Sequence, residues 1–181
     1  MKGPDVRNVE SVAEGETVRT DERWFVLRTK SRQEKIVTTD INAIGARHYL
    51  PLVRRARYYG RRKTYVDLPL FPGYVFLFGD FEQAYWLDRR QRLSGIIDVF
   101  DQETLEGELR DIRKALSQTS ALNPHPYLRE GIRVEVRSGP FRGIQGVVAQ
   151  VKKNDRLVLQ VSSFGGAVSL EIDGALLERV C

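Results

Sequence analysis

The chain has 181 residues, of which 41% are hydrophobic, and this suits one medium domain or two small ones with real cores. Its apolar runs are far shorter than the roughly 18 residues of a membrane span, and no signal-peptide region opens the chain, so we expect a cytoplasmic location. The single cysteine, Cys181, excludes an intramolecular disulfide and a cysteine-based metal cluster. A net charge of +5 permits contact with nucleic acid or an acidic protein surface.

The first segment with a clear pattern follows an irregular N-terminus. Residues 1–20 have neither helical nor strand periodicity and are predicted to form a disordered tail. The apolar run at 24–27 predicts a buried strand. Ser31 and Glu34 then have the spacing of a capping box, which predicts a helix that ends at Gly45.

A basic hairpin is predicted next. A strand at 48–53, in which Pro51 indicates an edge or a bulge, leads into a cationic segment around a Tyr-Tyr-Gly centre. Residues 65–68 return as a second strand. The cations of the hairpin are Arg54, Arg55, Arg57, Arg61, Arg62 and Lys63.

The central feature of the sequence is the run Leu-Phe-Pro-Gly-Tyr-Val-Phe-Leu-Phe at 70–78. Its aromatic and β-branched residues predict a buried strand, which the chain enters through a Pro-Gly turn. Alternation sends Tyr74, Phe76 and Phe78 to one face, and the residues between them make the other face apolar as well. Helices can cover one face. The aromatic face is either left for a partner or packed internally.

Two more helices complete the first domain, which we predict to span residues 21–118. Asp80 is a suitable N-cap for a helix that ends at Gly95, residues 96–100 form a strand, and Thr104 caps the third helix. Strands and helices that alternate in this way predict an α/β (α+β) sandwich, in which one sheet carries helices on one side.

The remaining chain has a different character. Residues 119–129 contain two prolines and no periodicity, which predicts a linker. Residues 130–181 contain short apolar strands separated by turns, which predicts a small all-β barrel. Within it, 131–148 resembles the KOW motif of NusG-type transcription factors, where Gly146 lets two strands approach closely. Residues 163–165 resemble a second stretch of the same domain.

The first domain carries the more specific resemblance. Residues 24–27 and 71–75 are similar to the NusG N-terminal domain, in the same order, and the likeness covers residues 22–180. The chain is therefore identified as a member of the NusG family of transcription elongation factors. The basic hairpin resembles that of RfaH-like, operon-specific antitermination paralogues, but 85–88 departs from the His-Thr-Thr-Thr motif of RfaH.

The resemblance implies a NusG N-terminal (NGN) domain, an SH3-like KOW barrel and a binding function. Such factors grip the clamp helices of RNA polymerase, bridge the DNA cleft, and suppress pausing or termination. Phe71, Tyr74 and Phe76 match the gripping motif, and Trp86 is a further candidate. The KOW domain is expected to recruit Rho or a small-subunit ribosomal protein through Phe164. We expect a monomer without a cofactor.

Two groups of polar residues are predicted to contact nucleic acid. Lys30, Arg32 and Gln33 lie at the start of the first helix, where backbone N–H groups attract phosphate, and the resemblance implies contact with the non-template strand. The hairpin cations, interleaved with Tyr58 and Tyr59, can hold a backbone and stack bases, with upstream DNA as the first candidate. In the alternative interpretation, both groups are solvated surface.

Other functions have less support in the sequence. A free-standing RNA-binding module is the main alternative, because the aromatic strand partly imitates that of an RRM, although Pro72 and Val75 replace its basic and small residues. An enzyme or a metal site is not indicated, because His48 and His125 lack neighbours with catalytic or ligand spacing. The many β-branched residues argue against a helical alternative fold of the KOW domain.

Overall fold

A computed structural model describes residues 9–10, 21–119, 121–124, 131–151 and 154–180. The chain divides into two compact units, one within Arg7–Gln102 and one within Glu103–Cys181. In the predicted tail, only Val9–Glu10 is described, and it forms a short strand. The rest of that tail, most of the predicted linker with His125, and Cys181 lie outside the described residues.

The first unit is an antiparallel sheet with a separate hairpin. The five-stranded sheet has the order β1-β3-β6-β2-β7, and β4 pairs only with β5 among the described strands. All of these pairings are antiparallel, so the unit is α+β. Its elements are β1 (Val9–Glu10), β2 (Arg23–Thr29), α1 (Glu34–Ala43), β3 (Arg47–Leu50), β4 (Leu52–Tyr59), β5 (Arg62–Pro69), β6 (Tyr74–Gly79), α2 (Phe81–Asp88) and β7 (Leu93–Asp98).

The core of this unit lies between one face of the sheet and helices α1 and α2. Phe25 and Leu77, which lie opposite each other on β2 and β6, have at most 2% of their surface exposed. They belong to one apolar cluster with Ile41 of α1 and Leu87 of α2. The predicted sheet with helices on one side is therefore confirmed for these two helices.

The starts of α1 and α2 were predicted from local capping signals, correctly for α2 but not for α1. The predicted N-cap at Asp80 is confirmed, because its Oδ1 accepts a hydrogen bond from the backbone N–H of Gln83 at 2.8 Å. In return, the side-chain Oε1 of Gln83 accepts a hydrogen bond from the backbone N–H of Asp80 at 3.0 Å. The capping box predicted for α1 is wrong. The N-cap is Gln33, without a side-chain cap, because Glu34 instead accepts a hydrogen bond from the N–H of Gly73 at 2.7 Å.

Pro51 separates the hairpin from the central sheet. The sequence predicts one strand across 48–53, but β3 ends at Leu50 and β4 begins at Leu52. Proline lacks the N–H that a ladder needs, so the pairing of β3 cannot continue through it. The carbonyl of Pro51 accepts a hydrogen bond from the N–H of Leu70 at 2.8 Å, which closes the base of the hairpin.

His48 is predicted to make the stability of the first unit depend on pH. This side chain is only 1% exposed, and burial lowers its pKa below the ordinary value of 6.5. The unfolded chain therefore binds the proton first, and we expect the free energy of unfolding to fall as the pH drops from about 6.5 through the lower folded pKa. Chemical denaturation across this range should show a smaller fall in a His48→Gln variant.

The control for this measurement is Val37→Ala, which removes buried apolar surface without removing a titratable group. Its stability curve should run parallel to that of the unmodified chain. Parallel curves for the His48→Gln variant as well would contradict a titrating role for His48.

The second unit contains α3 and a six-stranded antiparallel sheet. Its strand order is β13-β9-β10-β11-β12-β8. Gly146 lies where an added side chain would come within 2.6 Å of the carbonyl oxygen of Val158, so the predicted close approach of strands is confirmed. The elements are α3 (Gln102–Gln118), β8 (Asn123–Pro124), β9 (Ile132–Val136), β10 (Gln145–Val151), β11 (Asn154–Val161), β12 (Gly166–Ile172), a 3₁₀ turn (Gly174–Leu176) and β13 (Leu177–Arg179).

Helix α3 begins earlier than the sequence indicates, and its contacts group it with the second unit. Its first residue, Gln102, still belongs to the first unit. The Gln102 side chain accepts a hydrogen bond from the backbone N–H of Trp24 and donates one to the Trp24 carbonyl, and Thr104 is not the cap of the helix. Glu108 accepts hydrogen bonds from the N–H and the hydroxyl of Ser162, the shortest at 2.7 Å. The predicted domain boundary at 118 thus differs from the division after Gln102, and it stays a prediction.

The described residues contain neither a helix suited to a membrane nor a cluster of side chains suited to a metal ion. Among these residues, no helix is both long and apolar enough to cross a bilayer. The same residues contain no group of three or more His, Cys, Asp or Glu side chains that could hold a metal ion.

Candidate functional site

The central feature of the site is a tight turn at Phe71–Tyr74 that leads into β6. The N–H of Tyr74 donates to the carbonyl of Phe71 at 3.2 Å, and Gly73 has a φ of +86°, a value that favours glycine. The carbonyl of Gly73 accepts from Thr29 N–H at 2.8 Å, while its N–H donates to Glu34. These bonds fix the turn against the end of β2 and the start of α1.

An aromatic face forms on the side of the sheet opposite α1 and α2. The pairing of β6 with β2 and β3 confirms the predicted alternation of β6 side chains. The Phe76 ring stacks with that of Tyr49 at 6.3 Å and meets that of Phe71 edge-on at 6.4 Å. The Trp24 and Phe78 rings lie 5.3 Å apart, edge to face. The aromatic face therefore consists of Trp24, Tyr49, Phe71, Tyr74, Phe76 and Phe78.

The residues of this face differ in access. Phe76 has no exposed surface and Phe71 is 6% exposed, whereas Tyr74 and Phe78 are partly exposed. Tyr74 is therefore partly accessible, whereas a direct contact by Phe76 requires a change of conformation. Trp24 and Tyr49 were not predicted as members of this face, although their positions in the strands that flank β6 were the available signal.

Trp86 lies away from the other predicted gripping residues. It is 36% exposed on α2, and the guanidinium of Arg90 lies 4.2 Å from the centre of its ring. Because α2 covers the opposite side of the sheet, Trp86 does not join the aromatic face. Any contact through Trp86 would belong to a separate surface with Phe81 and Tyr85, which are 64% and 52% exposed.

The three residues predicted at the start of α1 have different environments. Lys30 and Arg32 are exposed, and Arg32 has a positive φ of 60°. The side-chain oxygen of Gln33 accepts a hydrogen bond from Arg92 at 3.2 Å, so its amide is partly engaged. Glu34 brings a negative charge into the first helical turn, which weakens the attraction of this helix end for phosphate.

The basic hairpin is well formed, with eight paired positions from Leu52↔Pro69 to Tyr59↔Arg62. Five of its six predicted cations are exposed, and Arg55 is partly buried. Lys35 of α1 donates a hydrogen bond to the backbone carbonyl of Asp67 at 2.9 Å. This contact brings the base of the hairpin close to the start of α1, so the two predicted nucleic-acid groups are neighbours.

Phe164 lies in the turn between β11 and β12 of the second unit. Its ring covers the backbone of Gly166 so closely that an added side chain there would meet ring atoms at 2.2 Å. The phenylalanine is partly exposed, which is compatible with both packing and partner contact. Ser162, two residues earlier, is held by Glu108 of α3.

Comparison with known proteins gives a consistent result. The family model described as "Transcription termination factor nusG" matches residues 22–114, or 93 of 181 residues. The chain is similar to the transcription termination/antitermination protein NusG of Escherichia coli (strain K12), at 27% identity over 173 residues, covering 87% of this chain and 96% of the relative. The protein of that name from Neisseria meningitidis serogroup B is 25% identical over 174 residues, with 87% and 98% covered. A solved structure of Thermotoga maritima NusG covers 89% of this chain and 98% of its own, at 19% identity and a TM-score of 0.47.

Proposed function

Since this chain belongs to the NusG family, we propose that it is a transcription termination or antitermination factor that binds RNA polymerase and recruits a further partner. The observation that carries the proposal is the aromatic face, which lies within the residues matched by the family model. Its chemistry is binding without bond formation. A monomeric state and a cytoplasmic location stay predictions.

The aromatic face is proposed as the surface that grips the polymerase clamp. Aromatic side chains dominate the free energy of many protein interfaces, because they bury a large apolar area at low entropic cost. Tyr74 is the partly exposed anchor, whereas Phe71 and Phe76 are buried and their rings meet edge-on. A factor that grips the clamp and bridges the DNA cleft would make the clamp open less often. Less frequent opening would suppress pausing.

The hairpin and the start of α1 are proposed to contact DNA close to the polymerase. The cations of the hairpin project from a two-stranded element that is tied to the body at Pro51 and Asp67. Exposed cations of this kind neutralise phosphates and release counterions. Lys30 and Arg32 add two further exposed positive charges just before the start of α1. Upstream DNA is the proposed ligand of the hairpin. The non-template strand is the proposed ligand of the start of α1, as the resemblance to RfaH-like paralogues implies.

The second unit is proposed to be a KOW domain that recruits Rho or a small-subunit ribosomal protein. The antiparallel order of its strands and the close crossing at Gly146 support this assignment. Phe164 is the proposed anchor, because its partly exposed ring sits on the Gly166 backbone.

The proposal is tested by binding of the purified chain to a reconstituted elongation complex at near-physiological salt, with and without excess free RNA and DNA. We expect a complex that survives excess free RNA and DNA, because an aromatic protein interface does not depend on phosphate contacts. For the same reason it depends only weakly on salt. Binding that competitor abolishes would contradict the clamp-gripping proposal and favour a nucleic-acid module.

The hairpin carries a separate prediction about salt dependence. Replacing Arg61 and Arg62 by glutamine should reduce the slope of log affinity for DNA against log salt by about 1.4 to 1.8, because each phosphate contact contributes about 0.7 to 0.9. Fluorescence anisotropy over a salt series measures the slope. The control pair Arg89→Gln and Arg110→Gln, which are exposed outside the hairpin, should leave it unchanged. An unaltered slope in the hairpin variant would make the tip a solvated surface.

Burial limits direct base stacking in the free-standing RNA module, as it limits direct polymerase contact by Phe76. An RRM sheet stacks bases on exposed aromatic rings. Phe76, the middle residue of the aromatic strand, has no exposed surface. The aromatic strand therefore does not offer the flat open sheet on which RRM binding depends.

A further inference from the structure

The two faces of the hairpin formed by β4 and β5 are chemically different. Residues directly opposite each other in an antiparallel pair point to the same face, and alternate residues along a strand share it. One face, here called the tyrosine face, consists of Arg54, Ala56, Tyr58, Lys63, Tyr65 and Asp67. The other, the arginine face, consists of Arg55, Arg57, Tyr59, Arg62, Thr64 and Val66.

The tyrosine face is the more open of the two. Every one of its residues is exposed, and Tyr58 and Tyr65 are 69% and 52% exposed. On the arginine face, Arg55, Thr64 and Val66 are partly buried. A ligand can therefore reach side chains along the whole length of the tyrosine face.

Two cations of this face lie over the ring of Tyr65. The guanidinium of Arg54 lies 5.0 Å from the centre of the Tyr65 ring, and the ammonium of Lys63 lies 5.2 Å from it. Lys63 is also directly opposite Tyr58, so it stands between the two rings. Ala56, opposite Tyr65, is too small to cover that ring.

We propose that the tyrosine face is a stacking platform for an unpaired nucleic-acid strand, with Tyr58 and Tyr65 holding bases and Arg54 and Lys63 holding phosphates. Exposed aromatic rings interleaved with cations are the chemistry that single strands recognise, because every unpaired base offers a π-face. In a duplex the bases are already stacked on one another and cannot reach such rings. This inference rests on the proposed nucleic-acid contact of the hairpin, and it adds Tyr65, which the sequence analysis did not select.

The test uses the full chain and labelled oligonucleotides of one sequence as single-stranded DNA, single-stranded RNA and duplex DNA. Replacing Tyr58 and Tyr65 by leucine should weaken single-strand binding by about 30-fold or more, since the stacking of two bases is lost. Duplex binding and the salt slope should stay unchanged, because no cation is removed. The DNA and RNA arms show which strand is preferred.

Tyr59 was predicted to stack bases together with Tyr58, but the register places it on the arginine face. The matched control is therefore Tyr59→Leu, which should keep single-strand affinity although Tyr59 is 63% exposed. The Tyr58→Phe and Tyr65→Phe variants should also keep it, because they retain the rings. Photocrosslinking of the unmodified chain should give adducts at Tyr58 or Tyr65, a readout that does not depend on the folding of a variant.

The outcomes separate this inference from the proposed function. If the leucine variant keeps its affinity, or if Tyr59→Leu loses as much, or if adducts occur only at Tyr59, the platform is overturned while the cationic contact stands. If the unmodified chain binds no nucleic acid through the hairpin, both the proposed contact and the platform fail.

Discussion

Replacing Phe76 by alanine is expected to lower the free energy of unfolding by about 3 to 5 kcal/mol, the usual cost of removing a buried phenylalanine ring. This ring has no exposed surface and contacts Tyr49 and Phe71, so its loss leaves a cavity in the aromatic face. Denaturant unfolding followed by circular dichroism measures the change. A loss of polymerase binding in this variant would therefore include the effect of lower stability, in addition to any lost contact.

The control for stability is Phe81→Ala, which removes the same ring from a position that is 64% exposed. Its effect should stay within about 0.5 kcal/mol, as for most surface substitutions. A similar small effect at Phe76 would contradict its burial and return it to the set of directly accessible anchors.

Replacing Tyr74 by alanine is expected to weaken binding to the elongation complex by about 30-fold, which corresponds to about 2 kcal/mol for an interface anchor. Tyr74 is partly exposed at the end of the turn that begins β6, so its ring is available without a change in the core. Titration of a labelled elongation complex gives the affinity. The affinity for free DNA should be nearly unchanged.

The matched control is Phe100→Ala, which removes a ring that is 98% exposed and lies outside the aromatic face. Polymerase affinity should be unaltered in this variant. An equal loss of polymerase and free-DNA affinity in Tyr74→Ala would show that the two bindings share one surface, against the separation of aromatic face and hairpin. Unfolding measurements on both variants exclude a general loss of structure.

Those features of the fold that depend on residues close together in the sequence were predictable. The Pro-Gly turn before β6, the alternation of its side chains and the cap at Asp80 follow from spacings of a few residues, and the structure confirms each. The antiparallel basic hairpin was likewise predictable, because two β-rich runs flank a Gly-containing turn. The resemblance of 71–75 to the NusG family was confirmed by the match at residues 22–114.

Long-range contacts decided the features that were mispredicted. Glu34 has the spacing of a capping residue, but a hydrogen bond to Gly73, 39 positions away, uses its carboxylate instead. Gln102 begins α3 because its side chain binds Trp24, 78 positions away, rather than because of any local cap. No local pattern contains either partner, so these choices were not visible in the sequence.

The candidate site divides in the same way. By itself the sequence determined which residue types are present: an aromatic strand, a cationic hairpin and a Pro-Gly turn. Only the tertiary structure decided which aromatic rings share a face, that Phe76 is covered while Tyr74 is reachable, and that Trp86 lies on the other side of the sheet. The physical reason is that composition and period fix local conformation, whereas burial and strand register depend on partners that are distant in the chain.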